Sequence, residues 1–555
     1  MTVSIVVVSL FFIANIAFAA GRRPVPHDPG AIAGNTASAA AGYALDGRRL
    51  AGPVLLATLT ASNLSAFTVL GVSGASYRLG WAFFPVMAFG TAFMAISFAV
   101  VGVPLRRMSA ERGWTTPGEF IADRFGSPWL GRLFSGLSLA YTIPYLAIQA
   151  GAGGRILEVM TGIPRIVSSA LLMAVVALYV WRGGMRSVAR TDILQLATLL
   201  VLAVAAGIIV VTAAGRSGLL TMVEAGRMSR AGIGGTLGWL PLLGYYVLWA
   251  FADPMFPHFI QRFYAARSDR ALLSSMTAYP AVAVLVFLPV CAIGVLGSVL
   301  VPGLEGAASD GVFTVLTQAL AGPVWGPVFS LAVLAALMST MDSQLLSCAS
   351  MLGTDFLSGR FRGSRASAAL ALALAVIAWL VSIRPPLSIL DYLNKTAFPG
   401  YATLMPVALA GIYAPKIGRS AAAVTLMAGT ALVALETSGL FVPPVPAALF
   451  NAGVQFLVIA TAAVLTRLSA VPPGTVAASV FGSMSRPAVS RRPLASLASL
   501  ASVAAIVALG FLGVDFWNYS GVQSVILGMP GWVVYHVALT LSLCGAFGML
   551  AKSMQ

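Results

Sequence analysis

The sequence has 555 residues, of which 59% are hydrophobic and only 9% carry a charge. Soluble globular proteins are about 25% charged, so this composition excludes a soluble enzyme, a disordered chain and a nucleic-acid binder. The net charge of +16 comes from Lys and Arg scattered over many short segments, not from one basic patch. That distribution is typical of the Lys and Arg excess that membrane proteins keep on the cytoplasmic side.

The first apolar segment, residues 3–20, has no charged side chain before it and is followed by Arg22 and Arg23. A cleaved signal peptide carries its positive charge before the apolar stretch. The observed order therefore favours a retained first helix with its N-terminus outside the cell.

Runs of about 20 apolar residues recur along the chain and predict an all-α polytopic membrane protein. We expect about 15 transmembrane spans, near residues 3–20, 51–71, 81–104, 129–153, 166–182, 191–214, 235–257, 273–301, 324–353, 366–384, 387–413, 420–440, 446–466, 495–514 and 530–551. With the N-terminus outside, 25 of the 33 Lys and Arg fall in cytoplasmic loops, Arg262 among them, and 7 fall outside. This asymmetry predicts a multi-pass protein of the cell membrane with a cytoplasmic C-terminus.

The segment 470–494 is rich in Pro, Ser and Arg and predicts a cytoplasmic linker. It separates a core of 13 spans, residues 1–469, from a C-terminal two-helix hairpin, residues 495–555. We therefore expect the hairpin to be a separate unit joined to the core by this linker.

Polar side chains inside a span are costly, so they usually face a cavity or a partner. In the second span, residues 61–66 are small and polar, which is compatible with helix packing and with an unwound stretch whose carbonyls bind a cation. The seventh span ends with Asp253, Pro254 and Pro257, which disturb helical hydrogen bonding. The ninth span crowds five polar side chains into residues 339–344, and its hydroxyls are suitable oxygen ligands for a hard cation.

Four segments resemble the sodium/solute symporter family, which includes proline, pantothenate, monocarboxylate and sugar transporters. They are TTPGEFIADRFGS (115–127), GGMRSVARTDILQ (183–195), PHFIQRFYAA (257–266) and AALMSTMDSQLLSCASMLGTDF (335–356). The resemblance spans roughly residues 40–420 and implies the leucine-transporter-type fold, with spans 2–6 and 7–11 as two inverted five-helix repeats around a midplane site.

The resemblance also implies roles for individual residues. The sodium site would consist of Ala61, Leu64, Ala336, Ser339 and Thr340, and the ion-coupling aspartate would be Asp192. The family's solute positions would fall at Tyr145, Trp249 and the neighbourhood of Ser65. Asn63 and Asp253 are further solute-binding candidates, and Asp253 could bind an amine or take part in ion binding. Two positions depart from proline transporters, because Asn63 stands where they carry aspartate and Asp253 where they carry tyrosine.

These observations predict sodium-coupled uptake of a small organic solute such as a monocarboxylate, an amino acid or a vitamin-like acid. The expected partners are the solute, sodium and the lipid bilayer, without nucleic acid and without a cofactor. Proton coupling through Asp253 or Asp342 and a solute sensor on the same fold remain alternatives. An enzyme is not expected, since no HExxH or GxSxG motif occurs. The last 60 residues weakly resemble small two-helix companions of such symporters.

Overall fold

A computed structural model describes residues 2–21, 36–224, 226–357, 364–383, 393–468, 497–518, 524–526 and 528–555. The predicted linker at 470–494 lies outside these residues. The described α-helices, in chain order, are α1 (Thr2–Ala20), α2 (Thr36–Leu45), α3 (Gly52–Asn63), α4 (Val72–Leu79), α5 (Phe83–Met94), α6 (Val103–Arg112), α7 (Pro117–Phe125), α8 (Pro128–Thr161), α9 (Arg165–Glu224), α10 (Trp239–Ala252), α11 (Pro257–Ala265), α12 (Asp269–Leu300), α13 (Val312–Met351), α14 (Ser364–Ile383), α15 (Phe398–Ala402), α16 (Met405–Tyr413), α17 (Arg419–Thr437), α18 (Ala447–Leu468), α19 (Leu497–Val514) and α20 (Gly531–Met554).

Shorter elements join these helices. The 3₁₀ turns are Asp46–Arg48, Gly80–Ala82, Ile233–Gly235, Asp253–Met255, Gly306–Gly311 and Phe516–Asn518. The π-helical turns are Phe67–Gly71, Phe98–Gly102, Leu352–Phe356 and Leu393–Ala397. Strands β1 (Val525–Ile526) and β2 (Met529–Pro530) form an antiparallel pair before α20.

The helices are arranged around a buried centre. In the segment Phe67–Arg112, 83% of the most apolar window is buried, against 11% in Ala447–Leu465. Helix α13 packs on α8, α9 and α12, and its residues 332–351 are buried without a break. Helices that are apolar yet largely exposed, such as α17 and α18, present the outer surface that a lipid bilayer covers.

Two helices are interrupted near this centre. Helix α3 ends at Asn63, Leu64 is extended (φ −84°, ψ 91°), and the π turn at Phe67 resumes the helix. Helix α10 ends at Ala252, and Phe256 is extended (φ −57°, ψ 127°) before Pro257 starts α11. Proline removes a backbone donor, which explains why the second break falls at the predicted position.

Glycine makes a third break, within α9. Gly184 has φ 52°, and a Cβ at this position would lie 2.3 Å from the Tyr43 carbonyl oxygen. Only glycine accepts both the positive φ and this close approach without strain. The turn separates the two spans predicted at 166–182 and 191–214.

Ten helices of the described part of the chain are long and apolar enough to cross a membrane. The predicted count of 15 spans is not confirmed, because length alone misses broken helices such as α3 and α10 and merges the two halves of α9. The two C-terminal helices α19 and α20 pack on each other, and α20 packs on α5 and α12. Their status as a separate unit stays a prediction.

Candidate functional site

The break after α3 lies against the middle of α13. The Ser339 hydroxyl donates to the carbonyl oxygens of Ala61 (2.8 Å) and Ala336 (3.0 Å). The Thr340 hydroxyl is within hydrogen-bond distance of the carbonyl oxygens of Ser62 (3.3 Å) and Ala336 (3.2 Å). Five oxygen atoms thus meet between two helices, and the residues that carry them are all buried.

Four of the five residues predicted for the sodium site are therefore in direct contact. The fifth, Leu64, is buried one residue after α3, where its N–H donates to the Thr60 carbonyl oxygen (3.0 Å). Carbonyl and hydroxyl oxygens are the ligands that hard cations prefer. A cation at this point would be held by the carbonyl oxygens and by the lone pairs of the two hydroxyl groups, whose protons would turn away.

Asp192 lies close to this cluster in a buried ion pair. Its Oδ2 is 3.0 Å from Nη2 of Arg262 and also accepts a hydrogen bond from the Thr58 hydroxyl. The side chains of Asp192 and Arg262 are both 0% exposed. Arg262 Nε donates to the Thr58 hydroxyl (2.8 Å), and its Nη2 donates to the Ser343 hydroxyl (2.6 Å). Since Arg262 lies within α11, its assignment to a cytoplasmic loop was wrong.

Ser343 links the ion pair to the oxygen cluster. Its hydroxyl lies 2.7 Å from the Ser339 carbonyl oxygen and 2.9 Å from the Ser62 hydroxyl. It also lies 3.0 Å from Oδ1 of Asp342, whose Oδ2 accepts a hydrogen bond from the Tyr179 hydroxyl (2.9 Å). The Asp192 pair and the candidate sodium site are thus one connected network of polar groups.

A small cavity adjoins this network. Its volume is about 20 Å³, which holds one or two waters but not an organic solute. All five residues predicted to contact the solute line it: Asn63, Ser65, Tyr145, Trp249 and Asp253. Ser62 and Thr340, which belong to the oxygen cluster, line it as well.

Hydrogen bonds hold two of these side chains in place. The Tyr145 hydroxyl donates to the Ser65 hydroxyl (2.7 Å), and the Trp249 indole N–H donates to the Val86 carbonyl oxygen (3.0 Å). Gly90 lets α5 approach this indole, because a Cβ there would lie 2.8 Å from Cδ1 of Trp249.

Sequence reasoning missed the rest of the cavity wall. Four phenylalanines line it, Phe67, Phe256, Phe287 and Phe398, together with Thr68, Met87, Thr91 and His258. Phe398 lies after the residues that form the other walls, and nothing in an apolar run distinguishes one phenylalanine from its neighbours. A signal did exist for Arg262, because Phe263, Tyr264 and Ala265 extend the apolar stretch beyond the predicted end of the span, and an arginine within a membrane segment requires a partner.

The model of the sodium:solute symporter family matches residues 43–429. The chain belongs to this family. Among the curated relatives of this symporter, the sodium/pantothenate symporter of Haemophilus influenzae is 26% identical over 402 residues, covering 70% of this chain and 82% of the relative. The osmoregulated proline transporter of Bacillus subtilis is 28% identical over 429 residues, covering 72% and 84%. A sodium/proline symporter of Staphylococcus aureus is 24% identical over 409 residues, covering 70% and 79%.

The symporter also resembles solved structures in its fold. A Na+-coupled sialic acid symporter in a substrate-bound outward-open state matches with a TM-score of 0.69 at 17% identity, covering 84% of this chain and 97% of that one. A nucleobase-cation-symport-1 family transporter in a closed conformation matches with a TM-score of 0.51 at 15% identity, covering 77% and 96%. The predicted leucine-transporter-type fold and the predicted class, a multi-pass membrane transporter, are confirmed.

Proposed function

We propose that this symporter couples the inward movement of sodium to the uptake of a small organic solute, with Na+ held by Ala61, Leu64, Ala336, Ser339 and Thr340. The observation that carries the proposal is the contact of the Ser339 and Thr340 hydroxyls with carbonyl oxygens at the α3 break. The last carbonyl groups of a helix have no intrahelical partner, so the break after α3 makes the oxygens of Ala61 and Ser62 available to an ion at membrane depth.

The proposed coupling follows from a shared wall. Ser62 and Thr340 line the solute cavity and also contribute oxygen atoms to the ion cluster. Sodium bound there joins α3 to α13 and fixes the wall against which the solute packs. Moving one sodium ion inward across 100 mV supplies about 2.3 kcal/mol, to which its concentration gradient adds.

In this scheme Asp192 senses the ion without ligating it. Ser343 connects the Asp192–Arg262 pair to the backbone of Ser339, so a change at the ion cluster shifts the hydrogen bonds of the pair. The proposed role of Asp192 in ion coupling is thus to position the oxygen cluster through Arg262 and Ser343.

The candidate solutes are organic monocarboxylates, amino acids and vitamin-like acids. Relatives named for pantothenate and proline support this range. The N-terminal end of the helical segment that resumes at Phe67 carries partial positive charge and suits a carboxylate group.

For the membrane arrangement, we propose a cell-membrane protein with its N-terminus outside and its C-terminus in the cytoplasm. The Lys and Arg asymmetry supports this orientation. We propose further that residues 1–469 are the transport core and that residues 495–555 are an accessory hairpin joined by the linker 470–494. The hairpin contacts the core through the Arg230–Asp515 ion pair and the Trp532 indole, which donates to the Met228 carbonyl oxygen (3.1 Å).

Equilibrium binding of radiolabelled sodium to the purified protein tests the ion site without a known solute. Saturable binding is expected, and Ser339→Ala and Thr340→Ala are each expected to abolish it. The matched control is Ser330→Ala, because Ser330 is a buried serine of the same helix whose hydroxyl donates to the Gly326 carbonyl oxygen (3.2 Å). Binding that survives both site variants contradicts the proposed site.

Proton coupling is the second candidate, and buried Asp253 favours it because no cation pairs with this carboxylate in the described residues. Replacing sodium by potassium at fixed pH in proteoliposomes distinguishes sodium coupling from proton coupling. Uptake that continues unchanged in potassium supports protons as the coupling ion.

A further inference from the structure

Asp253 is a buried carboxylate on the wall of the solute cavity. Its side chain accepts one hydrogen bond, from the Asn63 amide to Oδ2 (3.2 Å), and the residue is 2% exposed. No Lys, Arg or His forms an ion pair with it in the described parts of the chain, whereas the equally buried Asp192 has Arg262. A buried carboxylate is costly unless it is protonated or paired, so an ionised Asp253 requires a positive partner.

The backbone around Asp253 adds negative charge. Helix α3 ends at Asn63 and helix α10 ends at Ala252, so the C-termini of two helices meet beside this carboxylate. The C-terminal end of a helix carries a partial negative charge from its unsatisfied carbonyl groups. Both features favour a cation at this point of the cavity.

The other walls determine which kind of cation fits. Trp249 packs against Phe398 (5.0 Å between ring centroids) and Phe67 (6.1 Å), and Phe398 packs against Tyr145 (6.2 Å). Aromatic faces attract organic ammonium groups through their quadrupole and cover their apolar substituents. Sodium instead needs several oxygen ligands, and these lie in the cluster between α3 and α13.

We propose that Asp253 is the counter-ion for a positively charged nitrogen of the transported solute, with the aromatic walls covering the groups attached to that nitrogen. The inference rests on the proposed function and narrows it. The solute is an amino acid, betaine or amine, and a monocarboxylate without a cationic nitrogen is not the preferred substrate.

Matched pairs of probes test this, each pair differing mainly in the charged nitrogen. Suitable pairs are proline with cyclopentanecarboxylate, alanine with propionate, and choline with 3,3-dimethylbutanol. Each is added at millimolar concentration to the purified full-length protein in saturating sodium, and the shift of its melting temperature is measured. At least one nitrogen cation is expected to stabilise the protein while its neutral-carbon partner does not.

The variant Asp253→Asn keeps the shape of the side chain and removes its charge. It is expected to weaken the affinity for the stabilising cation about 10- to 100-fold, because a charge-assisted hydrogen bond is lost. Asp253→Glu is expected to retain part of the affinity. The control Glu436→Gln neutralises a carboxylate outside the cavity, one that accepts a hydrogen bond from Asn451 (3.3 Å), and is expected to change nothing.

Labelled sodium binding, measured on the same samples, separates the two proposals. If sodium binds normally but both members of each pair bind equally, or no nitrogen cation binds, the inference about Asp253 is overturned while the sodium site stands. The same conclusion holds if Asp253→Asn binds the cation as tightly as the original protein. If the original protein binds no sodium, the proposed function itself is refuted.

Discussion

The buried Asp192–Arg262 pair allows a quantitative prediction. Arg262→Met keeps an apolar stem of similar length but removes the guanidinium, which donates to Asp192, Thr58, Ser343 and the His258 carbonyl oxygen. Asp192 is then left 0% exposed without a positive partner. Removing one member of a buried pair typically costs about 3–5 kcal/mol, so we expect a large fall in the free energy of unfolding.

The double variant is the internal test of this reasoning. Asp192→Asn combined with Arg262→Met removes both charges, so the double variant should be more stable than Arg262→Met alone. Thermal unfolding of the detergent-purified protein measures all three variants. The control is Arg112→Met, because Arg112 and Asp123 form a partly exposed pair (3.7 Å, 33% exposed each) that is worth about 0–1 kcal/mol.

The comparison with the control decides the outcome. If Arg262→Met is no less stable than Arg112→Met, the claim that the unpaired Asp192 carboxylate is costly because it is buried away from solvent is refuted. We also expect weaker sodium binding in Arg262→Met, because Ser343 loses the donor that holds it against the Ser339 carbonyl oxygen.

Two further predictions concern the walls of the site. Gly90→Ala places a Cβ 2.8 Å from the Trp249 ring and 3.0 Å from the Tyr246 ring. The solute KM should therefore rise while labelled sodium still binds. If solute uptake and sodium binding are lost to the same extent, the variant is misfolded and the reasoning about the cavity wall is contradicted. Asp515→Ala leaves Arg230 buried without its ion-pair partner, which should lower the stability by about 3–5 kcal/mol. The hairpin should then become accessible to limited proteolysis. A proteolysis pattern unchanged from that of the original protein would contradict the importance of this contact.

Two local features of the site could be predicted from the sequence. Ser339 and Thr340 stand out because two hydroxyls in an apolar helix must find partners, and the break in α10 follows from Pro254 and Pro257. Each of these features depends on residues within a few positions of one another. The roles assigned to the residues came from the family resemblance and await the binding experiments.

The error at Arg262 has a definite cause. Counting charges assigns each arginine to the nearest aqueous side, because lone charges avoid the bilayer. Arg262 is an exception, since Asp192 neutralises it from 70 positions away in the chain.

The sequence by itself determined the class of the protein, its helical content and the break in α10, because hydropathy and proline act on the nearest residues. Only the tertiary structure decided which groups meet: Ala61 with Ser339, Asp192 with Arg262, and Asp253 with the aromatic residues of one cavity, without an ion pair among the residues that the structure describes. Those pairings join residues from distant parts of the chain. They depend on how the helices pack. In the low dielectric of the interior, whether a buried charge is paired strongly affects the stability of the fold.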